Sequence, residues 1–86
     1  MEKKSREKLI GKVTHYYDKA GVAIVKLSAP VAVGDEIHIC GGKTDLEQTV
    51  GSMQVEHEDI KKAKKGDEIG IKVEDKVREG DEVYAK

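Results

Sequence analysis

The sequence predicts an all-β fold: a small closed barrel built from about six short strands. Three observations carry this. The 86-residue chain has no Phe and no Trp, so its core must come from Val, Ile, Leu and Ala. Val and Ile far outnumber Leu, which favours the pleated surface of strands. Third, Gly-Asp-Glu followed by Ile or Val occurs three times, at VGDEIHI, KGDEIGI and EGDEVYA. Each copy reads as one device, a turn followed by a strand. Gly34, Gly66 and Gly80 supply the positive φ of the turn, and the Asp bonds back to nearby backbone amides. The unequal spacing of the copies argues for shared turn chemistry rather than a solenoid.

The elements follow in order. Residues 1–8, MEKKSREK, are almost all polar and are expected to form a flexible arm, leaving 9–86 as one domain. IGKVTHYYD alternates as a strand, and Lys19-Ala20-Gly21 marks a turn. VAIVKL, residues 22–27, is short and rich in Val and Ile, which fits a buried strand. EIHIC sets Ile37 and Ile39 on one face, with Glu36, His38 and Cys40 on the other. TVGSMQVEH, residues 49–57, is expected as a strand with a bulge or bend at Gly51. Only 58–65, EDIKKAKK, has a helical pattern. A barrel suits such a chain because closure removes exposed strand edges.

Composition narrows the function classes. Hydrophobic residues make up 37% and charged residues 38%, which fits a very soluble globular domain. The net charge of −1 gives no global attraction to nucleic acid. A single cysteine, Cys40, forbids an internal disulfide and fits a reducing compartment. No apolar run reaches membrane-spanning length and the N-terminus lacks a signal core, so a cytoplasmic location and no membrane partner are expected.

Gly42-Lys43-Thr44 matches the end of a phosphate-binding loop. The motif needs another glycine five residues before Gly42, where Ile37 stands, and a helix after the loop. A hairpin tip with a wet lysine is the better reading, and no nucleotide cofactor is expected. Asp35-Glu36, Asp67-Glu68 and Asp81-Glu82 sit in separate turns, unlike a calcium loop that gathers its ligands within about a dozen residues. His38 and Cys40 share a strand face, but zinc requires further ligands that the spacing does not supply. Ser5, Ser28 and Ser52 lie in no nucleophile-elbow context. No catalytic residue, metal ligand or cofactor is assigned. Lysines 3, 4 and 8 with Arg6, and Lys61, Lys62, Lys64 and Lys65, form two basic stretches able to meet phosphate. Glu58, Asp59, Asp67 and Glu68 partly cancel the second. Only Tyr16, Tyr17 and Tyr84 are available to stack on bases.

Through VGDEIHI, VGSMQVEHEDIKKAKKGDEIGI and EGDEVYAK the chain resembles the second domain of translational GTPases such as elongation factor Tu. Through GKVTHYYDKAGVAIVKL, VGDEIHICGGKTDLEQTV, IKVEDKV and DEVYAK it also resembles the C-terminal barrel of bacterial collagenase-like peptidases. Both resemblances imply a six-stranded Greek-key barrel. Neither the GTPase domain nor the peptidase domain lies within these residues, so they imply neither GTP hydrolysis nor proteolysis. In elongation factors this barrel helps bind the acceptor end of aminoacyl-tRNA, and residues 52–58 match part of that pocket. The family tends to have an acidic residue at the place of Gln54, and an aromatic then basic residues at Glu56, His57 and Glu58.

The leading expectation is thus a non-enzymatic, translation-factor-like module contacting RNA, tRNA or a translation-related protein through Gln54, His57, Lys61, Lys62, Lys64 and Lys65. The alternative is a protein-interaction or accessory domain that docks on a larger partner, with no nucleic-acid role.

Overall fold

The three Gly-Asp turns organise the sheet. In each, the Asp amide donates to the carbonyl three residues earlier: Asp35 to Ala32 at 3.0 Å, Asp67 to Lys64 at 3.0 Å and Asp81 to Arg78 at 3.1 Å. The Asp side chain closes the loop in the opposite sense. Oδ2 accepts from the Ala32, Lys64 and Arg78 amides at 2.9, 3.1 and 2.8 Å. The glycines stand at φ 100°, 93° and 93°, the left-handed region that a type II turn requires at its third residue. Each turn is also stapled to a distant residue whose side chain is buried in the core. Gly34 and Asp35 exchange backbone bonds with Val50, Gly66 and Asp67 with Leu27, and Gly80 and Asp81 with Val13, at 2.7–2.9 Å. One local code thus fixes chain reversal, strand start and core anchor together.

The structure is a computed structural model that describes residues 8–42, 44–56 and 58–85. It contains ten strands: β1 (Lys8–Tyr17), β2 (Val22–Leu27), β3 (Val31–Ala32), β4 (Glu36–Cys40), β5 (Asp45–Thr49), β6 (Met53–Val55), β7 (Glu58–Ile60), β8 (Lys62–Ala63), β9 (Glu68–Lys72) and β10 (Glu82–Ala85). Eight form one antiparallel sheet in the order β5-β4-β10-β1-β2-β9-β6-β7, and β3 pairs with β8. β1 carries register shifts between Leu9 and Gly11 and between Val13 and His15, which add twist and let the sheet curl. Its inner face packs Ile10, Val13, Ala23, Val25, Ile37, Ile39, Met53, Ile69, Ile71 and Val83, all at most 2% exposed. Each large aliphatic chain so buried contributes about 1.5–3 kcal/mol of hydrophobic stabilisation.

The all-β expectation holds, and among the described residues there is no helix. The sheet is not closed into a barrel by strand pairing: β5 and β7 stand at its two ends. A side chain does part of that work. Gln48 on β5 is 9% exposed, donates to the Lys72 carbonyl at 3.0 Å and accepts from the Glu74 amide at 2.9 Å. It satisfies backbone groups beyond the end of β9 as a neighbouring strand would.

Two local expectations fail. Residues 58–65 are β7 and β8 rather than helix, because Met53, Gln54 and Val55 pair with Ile60, Asp59 and Glu58. The three-residue spacing of Ile60 and Ala63 imitates a helical face, but this strand pairing decides. The strand expected over 49–57 with a bulge or bend at Gly51 is two strands, β5 ending at Thr49 and β6 beginning at Met53, with Gly51 in the break between them. Two connecting residues separate Val55 from its partner Glu58, and Glu56 takes φ 52° there. Tight hairpin turns demand that backbone region, which is usually given to Asn, Asp or Gly. Lys8 opens β1, while residues 1–7 of the expected arm lie outside the described residues.

Candidate functional site

The outer face of β1, β2, β9 and β6 carries an apolar groove of about 620 Å³. Alternation creates it. Ala23 and Val25 point into the core, so Val22 and Ile24 must face outward, where they are only half-buried. Ile24 pairs with His15 on one side and Gly70 on the other, Gly70 pairs with Gln54, and Gln54 with Asp59. Gly70 therefore leaves a notch in the middle of a row of side chains. A Cβ there would meet Val22 Cγ1 at 3.0 Å and Ile24 Cδ1 at 3.5 Å, so glycine keeps the floor low.

Tyr17 stands at one end, 52% exposed, opposite Val22. Its ring lies 4.5 Å from that of His15, and His15 Nδ1 lies 3.1 Å from Glu79 Oε2. Val55 forms part of the β6 wall. The charges are polarised along the groove. Lys19 lines the Tyr17 end, and Lys72 pairs opposite Val22. Glu56 and Glu68 line the other end, where Glu68 Oε2 accepts from the Thr14 hydroxyl at 3.0 Å. Lys26 pairs across from Glu68, and neither it nor Lys72 lines the groove, so Lys19 is the cation in the lining among the described residues. Glu58 and Asp59 add exposed carboxylates on the same hairpin.

The structure separates the residues expected from sequence. Gln54 lies in the groove, where its Nε2 donates to Asp59 Oδ1 at 3.2 Å. Lys61, Lys62, Lys64 and Lys65 are exposed around β8 and the turn before β9, and none lines the groove. His57 lies outside the described residues. Sequence reasoning missed Val22, Ile24 and Gly70, and it named Tyr17 and Glu56 only in weighing contact with RNA. The available signal was the even-numbered side of VAIVKL, an apolar half that a sheet covered on one face leaves outside.

On the opposite flank, His38 Nε2 and Asp45 Oδ1 lie 2.6 Å apart, and the Tyr84 hydroxyl donates to Glu82 Oε1 at 2.8 Å. Half-buried Cys40 faces Glu82 and Asp45 across the strand pairs. Among the described residues no three His, Cys, Asp or Glu side chains are grouped to hold a metal ion. At the Gly-Lys-Thr motif, Thr44 is buried and β5, not a helix, follows; Lys43 lies outside the described residues. Gly41 has a role that the turn reading lacks. A Cβ there would overlap Asp81 Oδ1 and approach its Cγ at 2.9 Å, so the glycine admits the carboxylate of the third turn.

No family model matches the chain. It is 44% identical over 82 residues to an uncharacterized protease of Methanocaldococcus jannaschii, an alignment covering 94% of this chain and 20% of that protein. It is 37% identical over 83 residues to a collagenase of Porphyromonas gingivalis, covering 93% of the chain and again 20% of the relative. The chain therefore spans about a fifth of the length of these relatives. The solved C-terminal domain of a Geobacillus thermoleovorans protein named as a U32 peptidase superposes with TM-score 0.84 at 20% identity, over 95% of this chain and 94% of that one. A selenomethionine form of that domain gives TM-score 0.84 at 19% identity, over 88% of this chain and 96% of that one. At such identity the likeness establishes the fold. These relatives match the collagenase-like side of the sequence resemblance, and none of them is a translational GTPase. They overturn the reading of the chain as a translation-factor-like, RNA-binding module.

Proposed function

We propose that this chain is a non-catalytic accessory domain of collagenase-like peptidases, acting by docking on or serving a larger catalytic body. One observation carries the reading. The chain matches the separately solved C-terminal domain of a protein named as a peptidase almost end to end, while it matches only a fifth of whole relatives named as protease or collagenase. A unit with its own aliphatic core and its own stapled turns suits such modular use. The curled sheet, with Gln48 bridging β5 to the chain after β9, would act as a closed barrel in mechanical terms.

The test pairs the purified chain with a collagenase-like peptidase trimmed of its matching fifth. A complex on size-exclusion chromatography, with restored turnover of gelatin, is the expected result. Neither complex nor restored turnover would remove the docking role. Gelatin cleavage by the chain alone, surviving repurification and sensitive to substitutions in the chain, would overturn its non-catalytic status.

A further inference from the structure

We propose that the outer groove is a recognition site for a short extended peptide. The ligand carries apolar side chains at its centre, a cationic end beside Glu56 and Glu68, and an anionic end beside Lys19. Four features point to this occupant.

The first is length. Along β9, the row of Lys72 and the row of Glu68 are four residues apart, about 13 Å, which an extended segment of roughly four residues spans. The second is polarity. Lys19 stands at the Tyr17 end, and Lys72 reaches the same turn, where a Cβ on Gly21 would lie 3.7 Å from its Cε. Glu56 and Glu68 stand at the opposite end. A zwitterionic strand thus meets opposite charge at both ends, and a strand anionic at both ends meets the carboxylates of Glu56 and Glu68 in either direction. The third is the lining: Val22, Ile24 and Val55 flank a floor that Gly70 keeps open for a side chain. The fourth is strain. Glu56 holds φ 52°, a conformation that costs a non-glycine residue free energy and gathers at ligand sites.

The groove also faces the right way for a ligand from outside. Lys8 and Ala85 are Cα partners, so both ends of the described chain leave from one pole. Tyr17 lies at the far end of the ten-residue β1, on the order of 30 Å away. A tether at either end of the described chain is therefore remote from the Tyr17 end of the groove. The site does not require the accessory-domain role: peptide capture and docking on a peptidase are read by separate assays, and either can fail alone.

The experiment is a ¹⁵N NMR titration of the chain with three synthetic tetrapeptides. Arg-Val-Leu-Ala with free termini is the probe. Acetyl-Ala-Val-Leu-Ala-amide removes the charges, and acetyl-Glu-Val-Leu-Glu-amide makes both ends anionic. The probe is expected to shift the amides of Val22, Ile24, Val55 and Gly70 with millimolar or tighter affinity, and to bind about tenfold better than the doubly anionic peptide. Glu56→Lys and Gly70→Ala should each weaken it about tenfold, the first through charge and the second by raising the floor. Gly70→Ala suits this test because its backbone is outside the left-handed region. Amide dispersion and melting temperature confirm that each variant is folded. No shift at these four amides with any peptide overturns the site. So does equal affinity for the probe and the doubly anionic peptide. Shifts of the same amides on concentrating the chain alone would assign the groove to a second copy, and stronger shifts with a short oligouridylate would assign it to RNA; either result overturns the proposal.

Discussion

The turn at Arg78–Asp81 and the turn at Ala32–Asp35 have the same sequence logic and the same hydrogen bonds, but they sit in different surroundings. Asp81 is 5% exposed and leads into β10, in the interior of the sheet between β4 and β1. Asp35 is exposed and leads into β4, beside the edge strand β5. The Asp81 carboxylate is pressed against Gly41 from the neighbouring hairpin, whereas the first turn has no such cover. Bond lengths differ little between the two, 2.8 Å against 2.9 Å for the side-chain bond. What differs is the consequence of breaking them. An amide released from an exposed carboxylate bond finds water readily, and one released from a partly buried bond to a covered carboxylate finds less of it. Identical local chemistry thus acquires its energetic weight from whatever is packed over it.

Substituting Asp81 should give the largest effect. Asp81→Ala is expected to cost about 1.5–3 kcal/mol, because the Arg78 amide loses a charged acceptor in a partly buried bond and the buried Asp81 side chain leaves its place empty. For a domain of this size each kcal/mol lowers the melting temperature by roughly 4–8 °C, which thermal denaturation will resolve. Gly41→Ala should cost about 1–3 kcal/mol by forcing the new methyl into that carboxylate. The double substitution should cost less than the sum by about 1 kcal/mol, since removing the carboxylate also removes the overlap. Strict additivity in urea denaturation would show that the two residues do not touch, and with that the contrast between the turns would lose its cause.

How much of this is legible in the sequence follows from distance along the chain. The Gly-Asp turns are legible because donor, acceptor and the positive-φ residue lie within four consecutive residues. The exact span of VAIVKL and the facing of EIHIC are legible because side-chain period fixes them. The cover on Asp81 is not legible, because Gly41 reaches it only once β4 and β10 pair. The groove is hidden for the same reason: His15, Ile24, Gly70 and Gln54 meet through three strand pairings. Function was further from reach. Lys61, Lys62, Lys64 and Lys65 read as a run of charge able to meet phosphate, but none of them lines the groove that holds Gln54. The elongation-factor likeness supplied a barrel shape, and a shape used by many proteins carries no partner with it.

A second series separates strain from burial. Gly34, Gly66 and Gly80 share φ near 93–100°, and a Cβ on any of them would meet nothing within 4 Å. Alanine should therefore cost each turn nearly the same, about 1–2 kcal/mol, through backbone conformation alone. The aspartates should instead form a gradient, since Asp81 is buried, Asp67 half-buried and Asp35 exposed. At the shallow end, Asp35→Ala is expected to cost only about 0.5–1 kcal/mol. A graded glycine series, or a flat aspartate series, would break the division of labour between the two residues.

The smallest effect should have the opposite sign. The β6–β7 connection makes the same demand for a left-handed residue as the Gly-Asp turns, yet it uses Glu56 at φ 52°. Relief of that strain by Glu56→Gly is worth about 1–2 kcal/mol, offset by about 0.5–1 kcal/mol of glycine's extra chain entropy. A net gain of about 0.5 kcal/mol should appear as a small rise in melting temperature. Glu56→Asn, which tolerates the same backbone at less entropic cost, should stabilise at least as much. Both variants remove a carboxylate from the groove's acidic end, so they should bind the Arg-Val-Leu-Ala probe more weakly while melting higher. Opposite movement of stability and binding is the signature of a residue kept for what it contacts. If both properties fell together, Glu56 would be supporting the hairpin rather than the site, and its strained conformation would have to be credited to folding.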